Sequence, residues 1–441
     1  MLERCFGLRA HGTTVGTELV AGVTTFLTMA YIIFVQPAVL GAAGMDPGAV
    51  MTATCVASAV ATLLMAFLAN YPIAVAPAMG HNFFFAFTVV LAGGTPWPVA
   101  LGAVAIAGLI FIATAGIGLR ERVIVAVPAS LKHAISAGIG LLIALIGLEW
   151  CGIVVDAPGT LVTLGDLTRP PVRLAIFTLA LMAVLTARRV PGALLLGMVL
   201  STAIALAAGL TTFAGVVAPP PSLAPTWLAL DIRGALTPAL IDVVFVFFFL
   251  ALFDSIGTLI GVASRIGIVR NGTLPRARQA LLADAIGTVV GAGLGTSTVT
   301  AYIESSTGVA SGGRTGLASV FTAGLFLLAL WFHPLVKTIG GGYAIGNNVI
   351  LYPIVAPALI LVGVLMMENV REIRWDDFTE AMPAFLAMVT MPLAVSITDG
   401  IAFGFIAYAV LKLATGRAGE LDRLGYAFAA LFLARYIGVR S

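Results

Sequence analysis

The chain is 441 residues long, 60% hydrophobic and only 10% charged, with a formal net charge of +3 and a mean hydropathy of +1.09. Runs such as "DVVFVFFFLALFDSIGTLIGVA" exclude a water-soluble globule with a charged skin and point to a polytopic membrane protein. Cys5, Cys55 and Cys151 are far apart and lie in or beside apolar runs, so neither a disulfide framework nor a metal site is expected.

A membrane-crossing helix needs about 20 apolar residues to span roughly 30 Å of hydrocarbon. No basic segment with a short apolar core and a small-residue cleavage site precedes the first such run, so no removable signal peptide is expected. In chain order the runs predict spans over 18–40, 47–69, 96–118, 133–150, 171–187 and 190–210. A polar linker, "TTFAGVVAPPPSLAPTWLALDIRG", separates these from spans over 237–262, 277–293, 315–332, 347–367, 378–397 and 400–415. Two further segments read as broken spans. Residues 72–91, "PIAVAPAMGHNFFFAFTVVL", open with two prolines in a stretch of small and β-branched residues, and residues 294–311, "LGTSTVTAYIESSTGVAS", open with threonines and a valine. About five extended residues and about eleven helical ones cover roughly 16 Å each, together close to the bilayer core. Unpaired backbone at that depth survives only where protein covers it or where it lines a cavity.

Counting both gives fourteen crossings, and the cations fit that count. With the amino-terminal end inside, only Arg169, Arg173, Arg233 and Lys337 of the 23 Lys and Arg fall outside. The others, among them Arg120, Arg122, Lys132, Arg265, Arg270, Arg276, Arg278, Arg435 and Arg440, fall on the cytoplasmic side, as the positive-inside rule requires. Each broken span is the third of seven, and seven is odd, so the second half lies upside down relative to the first. Inverted repeats broken in equivalent places point to a secondary transporter with its site near the midplane, between the breaks. The plainer alternative is a pair of ordinary helices kinked by proline.

Three polar side chains stand at membrane depth: Asn82 just after the first break, Asp254 within "FFFLALFDSIGTLIG", and Glu304 just after the second break. A charge there costs at least about 2.5 kcal/mol on insertion scales, so such residues usually serve a cavity or a partner. No Lys or Arg sits in the middle of any span to neutralise the two acids; a proton, or a ligand that donates N–H groups, could do so. Glu304 is expected in the first turn of a short helix, where the dipole favours an anion, with its carboxylate accepting two parallel hydrogen bonds from the N–H edge of a heterocycle. Asp254 is expected to carry the proton. For each acid the alternative is a hydrogen-bonded residue that fixes helix packing. Asp284 reads as a structural partner of neighbouring hydroxyls, His81 as a packing residue or a proton relay, and Tyr302 as a stacking or backbone contact. No P-loop, metal cluster or nucleophile-base arrangement can be read, so ATP-driven transport, catalysis and a cofactor have no support.

Four stretches, "APAMGHNFFFAFTVV", "LFDSIGTLIGVASRIG", "GTSTVTAYIESSTGVASGGRTGLASV" and "DFTEAMPAFLAMVTMPLAVSITDGIAFGFIAYAVLKL", resemble the nucleobase:cation symporter family, within the xanthine/uracil permease superfamily. The resemblance covers about residues 15–415 and is strongest to the AzgA-like permeases for hypoxanthine, guanine and adenine. It implies an all-α polytopic fold of fourteen spans as a 7+7 inverted repeat, with short antiparallel strands in spans 3 and 10. It also implies a core domain over 1–132 and 236–333, a gate domain over 133–235 and 334–416, a cytoplasmic tail over 417–441, and a homodimer through the gate domain. By the same resemblance, Glu304 hydrogen-bonds the base, Asp254 links base and proton, and Asn82, Tyr302, Ala78, Met79 and Thr258 complete the site. Thr258 stands where uracil-type members carry histidine, which weighs against a uracil carrier. The branch more often has glycine at Ala78 and an apolar residue at His81. The expectation is therefore a proton-coupled purine importer of the bacterial inner membrane with both termini cytoplasmic, not an enzyme and not a nucleic-acid binder. The nearest competitor is an anion transporter of the same architecture, whose substrate Glu304 would repel.

Overall fold

The computed structural model describes residues 2–114, 127–237, 240–266, 274–345 and 350–438. Arg120, Arg122, Arg270 and Arg440 of the expected cytoplasmic set lie outside the described residues, as do the side chains of Arg265 and Arg435 and parts of the spans expected over 96–118, 237–262 and 347–367.

After the short α1 (Leu2–Phe6), the first expected span is two helices, α2 (Val15–Met29) and α3 (Ile32–Ala42), broken at Ala30 and Tyr31. Pro37 contributes to the irregularity, because it has no N–H to give back to the preceding turn. Next, α4 (Pro47–Leu64) starts on Asp46, which accepts from the Ala49 N–H at 2.7 Å, and ends after a wide turn at Asn70, held in the left-handed region at φ 56°. There the chain becomes β1 (Val75–Pro77), then α5 (Met79–Phe83), extended in wider turns to Ala92, then α6 (Trp97–Thr114). The long α7 (Ala129–Trp150) is followed by a strand pair, β2 (Val154–Ala157) and β3 (Leu161–Leu164), and by α8 (Pro170–Ala187) and α9 (Ala193–Ala207).

The second half repeats part of this pattern. After a turn of helix, α10 (Ile232–Ala235), come α11 (Ile241–Ile266) and α12 (Ala277–Leu294). Gly295 ends α12 at φ 100°, a left-handed residue where an added Cβ would strike the Thr226 side chain. It is followed by β4 (Val299–Ala301) and the short α13 (Ser305–Ala310). Thus α4 and α12 each end on a left-handed residue and lead into a three-residue strand and a short helix. The chain continues through α14 (Gly316–Ala329), α15 (His333–Gly340), the strands β5 (Tyr343–Ala344) and β6 (Ile350–Leu351), α16 (Ala356–Met366), α17 (Phe378–Ala394), α18 (Ile397–Ala414) and α19 (Arg423–Gly438).

The two breaks meet: β1 and β4 pair antiparallel, with Val75 opposite Ala301, Ala76 opposite Thr300 and Pro77 opposite Val299. A two-stranded ribbon leaves each strand one unpaired edge, which is costly away from water. Side chains of the preceding helices close those edges. Thr62 on α4 accepts from the Val75 N–H at 2.9 Å and donates to the Val75 carbonyl at 3.0 Å. Thr288 on α12 does the same for Val299, at 3.2 and 3.0 Å. Asp284 accepts from the Ala301 N–H at 3.3 Å, which gives this buried acid the structural role expected for it, although its partner is backbone.

Helix contacts fall into two groups. One packs α2, α4, α6, α12 and α14 around the strand pair; the other packs α7 against α16 and α17, and α17 against α18. Among the described residues, eight helical segments are long and apolar enough to cross a bilayer, and Met79–Ala92, Ala193–Ala207, Phe378–Ala394 and Arg423–Ala434 are shorter apolar helices. Fourteen crossings require that the first three of these be counted together with α12, α16 and the β4–α13 pair. The residues expected as a tail are a packed element instead. In α19, Phe428 and Phe432 lie against Phe405 of α18 and Phe245 of α11, and the Tyr436 hydroxyl donates to Asp399 at 2.6 Å. The apolar stretch "GYAFAALFLA" is what allows it to pack, and its shortness is why it reads as a tail.

Candidate functional site

Where the broken segments cross α2, α7 and α11 there is a cavity of about 750 Å³. That volume is ample for a drug-sized ligand. Its walls hold Asp254 and Glu304 together with Ala78, Met79, Thr258 and Tyr302, six of the seven residues expected at the site. From the acids it extends to Lys132, His133, Glu368 and Glu372. The Lys132 ammonium lies 5.4 Å from the centroid of the Phe253 ring, itself part of the wall.

Glu304 occupies the residue before the first turn of α13, one position earlier than expected, and its side chain does not cap that helix. It reaches across to α2–α3, where the Tyr31 hydroxyl donates to Oε1 at 2.8 Å. Tyr31 is 1% exposed and the carboxylate is half-buried, open to the cavity. Asp254, one helical turn before Thr258 on α11, accepts from the Thr300 hydroxyl at 2.7 Å, so β4 supplies the partner of the second acid. Among the described residues no basic side chain lies within ion-pair distance of either acid. Each carboxylate therefore has one neutral hydroxyl partner and a remaining capacity to accept, which suits a neutral ligand with N–H donors or a proton.

Two expectations change. Asn82 is fully buried and is absent from the cavity wall; its Oδ1 accepts from Gln36 Nε2 at 3.2 Å and from the Ser297 hydroxyl, behind the strands. There it ties α3, α5 and the approach to β4 together. The pair of equal, open oxygens expected on Glu304 is also not found, because Tyr31 engages one of them. Tyr302 contributes its ring to the wall, while its hydroxyl donates to the Pro77 carbonyl at 2.5 Å, fixing the end of β1. His81 lines the wall and is buried, with no hydrogen-bond partner for Nε2 among the described residues.

Sequence reasoning missed Tyr31, Thr300, Phe253 and Lys132. Tyr31 sits in "TMAYIIF", which reads as unbroken span, and only the break after α2 turns it toward Glu304. Thr300 had a signal: strand alternation places it on the face opposite its neighbours Val299 and Ala301, toward α11.

The model of the Permease family (Xan_ur_permease) matches residues 16–403. The chain is 44% identical over 438 residues to the adenine permease AdeP of Escherichia coli, covering 99% of this chain and 96% of that one. It is likewise 44% identical over 440 residues to the guanine/hypoxanthine permease PbuG of Bacillus subtilis, covering 97% of each. Among solved structures, the transmembrane domain of the cyanobacterial bicarbonate transporter BicA superposes with a TM-score of 0.65 at 18% identity, over 88% of this chain and 97% of that one. That last likeness concerns the fold alone.

Proposed function

This chain belongs to the Permease family, and we propose that it carries purine nucleobases inward across the plasma membrane together with protons. That it is a multi-pass membrane transporter and not an enzyme follows from the family and from its apolar helices. The observation that carries the finer reading is Asp254 and Glu304 on one cavity, each met by a hydroxyl and, among the described residues, by no cation. A neutral purine offers ring and exocyclic N–H donors that such carboxylates accept, and its flat apolar faces suit a wall of Met79, Phe253 and Tyr302.

In this proposal the fourteen-span inverted repeat places both breaks at the midplane, and the cation distribution sets the amino-terminal residues inside. The cavity then opens toward Lys132, His133 and Glu372, which is the inward-facing state. The two helix groups would act as core and gate, with pairing of two copies through the gate. The turn over 417–422 is cytoplasmic, and α19 runs back along α18 to the Asp399 end, away from the side predicted for a tail. Glu304 engages the base, and Asp254 takes up the proton that accompanies it.

Uptake of radiolabelled adenine and hypoxanthine by cells expressing Glu304→Gln tests the reading. Loss of uptake of at least about a hundredfold, near 2.7 kcal/mol, is expected because the amide presents a donor where an acceptor is needed; near-normal uptake would remove Glu304 from the site. A second reading is anion transport on the same fold, which the two acids oppose. A thermal-shift panel of purines, pyrimidines, sulfate and dicarboxylates on the purified protein separates the two.

A further inference from the structure

We infer that Tyr31 sets the purine preference of the site by donating to Glu304 Oε1, which takes one acceptor position there and weakens that oxygen as an acceptor for a second N–H of the base. The inference deepens the nucleobase reading and rests on it. The Tyr31 residue is 1% exposed, and its phenol donates to Glu304 Oε1 at 2.8 Å. A second tie holds the same residue from the same helix: Thr28 and Thr307 share a hydroxyl contact at 3.0 Å, and Thr307 donates to the Glu304 carbonyl at 2.7 Å. Side chain and backbone of residue 304 are thus both anchored to the end of α2, so the carboxylate is not free to rotate and offer its oxygens interchangeably.

Purines differ in how many adjacent donors they present. Guanine carries a ring N1–H beside a 2-amino N–H, two parallel donors that match both oxygens of an open carboxylate, as an arginine fork does. Hypoxanthine has the N1–H without the amino group, and one oxygen suffices. With the phenol already donating to Oε1, a second donor there meets a weaker and more crowded acceptor, so guanine gains less over hypoxanthine than it would on an open carboxylate. Removing the phenol hydroxyl returns Oε1 to the ligand and gives guanine its second bond. Tyr31 is a positioning residue in this scheme: it acts through Glu304 and need not touch the base.

The test compares Tyr31→Phe with the unaltered protein in uptake of radiolabelled guanine and hypoxanthine at several concentrations. The ratio of the guanine KM to the hypoxanthine KM is expected to fall by about tenfold, with maximal rates changed little, since one hydrogen bond to a charged group is at stake. A merely structural tyrosine would alter both substrates alike, and an unchanged ratio overturns the inference. In the unaltered protein, guanine and hypoxanthine are expected to compete for uptake of labelled hypoxanthine at concentrations within about tenfold of each other. A guanine preference well beyond that overturns the inference even if Tyr31→Phe does not reach the membrane. Failure of the unaltered protein to transport guanine, hypoxanthine and adenine alike would instead overturn the nucleobase reading.

Discussion

The α17–α18 pair and the cavity both hold acidic side chains away from bulk water, and they treat them in opposite ways. At the junction of α17 and α18, Glu380 is 1% exposed and Lys412 fully buried, 3.0 Å apart. Around them Arg374 reaches Glu380 at 2.6 Å, Lys412 reaches Glu420 at 2.7 Å, Arg417 bridges Asp377 and Glu420, and the Tyr408 hydroxyl donates to Glu380 at 2.6 Å. Every carboxylate there has a fixed cation. In the cavity, Asp254 and Glu304 have hydroxyl partners and, among the described residues, no cation. The helix ends reinforce the contrast: Glu380 lies in the first turn of α17 and Lys412 in the last turn of α18, where the dipoles favour those signs. A charge whose partner is built in serves the fold, whereas one left without a counter-charge near a cavity is available to something that arrives and leaves.

Removing one member of the ionic cluster should break this contrast most visibly. Lys412→Met takes the buried cation from Glu380 and leaves it Arg374, which is largely exposed, and the Tyr408 hydroxyl, so the cost should approach, without reaching, the roughly 3–5 kcal/mol of a buried charge left with no partner. Purified in detergent, the variant should unfold at clearly lower temperature, and Lys412→Met combined with Glu380→Met should recover most of the loss. If the single variant were as stable as the parent, the cluster would not be holding α17 to α18. Asp254→Asn sharpens the other half. The amide keeps the shape and can still accept from Thr300, so the unfolding temperature should scarcely move, while purine accumulation driven by an imposed pH gradient should fall at least tenfold, about 1.4 kcal/mol. A stability loss matching that of Lys412→Met would make Asp254 a packing residue.

How far this contrast could be read beforehand differs between the two regions. The two acids of the cavity were legible because a carboxylate within an apolar run is costly at any register, so its presence already implies a reason. The broken spans were legible too, since prolines around 72–77 and the threonines from 296 to 300 interrupt helical patterning. What could not be read was direction. Asn82 follows its break as closely as Glu304 follows the other, yet the turn of α5 aims it at Gln36 and away from the cavity. The Lys412 cluster was equally hidden: Asp377, Glu380, Lys412, Arg417 and Glu420 look like separate charges at span ends until α17 and α18 pack side by side.

The smallest effect is expected from acid. Hydrogen bonds from Arg417 hold the Asp377 carboxyl well below the usual carboxylate range, and those from Arg417 and then Lys412 bring Glu420 down to about 2. Because both values are lower in the folded state than in the unfolded chain, the stability they contribute is fully present above the ordinary carboxylate pKa of about 4 and is lost as pH falls toward 2. Both groups sit at helix ends that water reaches, so screening keeps the contribution small. The unfolding temperature of the purified protein should stay level from about pH 7 to 5 and then decline below about 4, more steeply at low than at high salt. Arg417→Gln should flatten that decline. Were the decline to persist unchanged in that variant, the acid sensitivity would have to come from carboxylates outside this cluster.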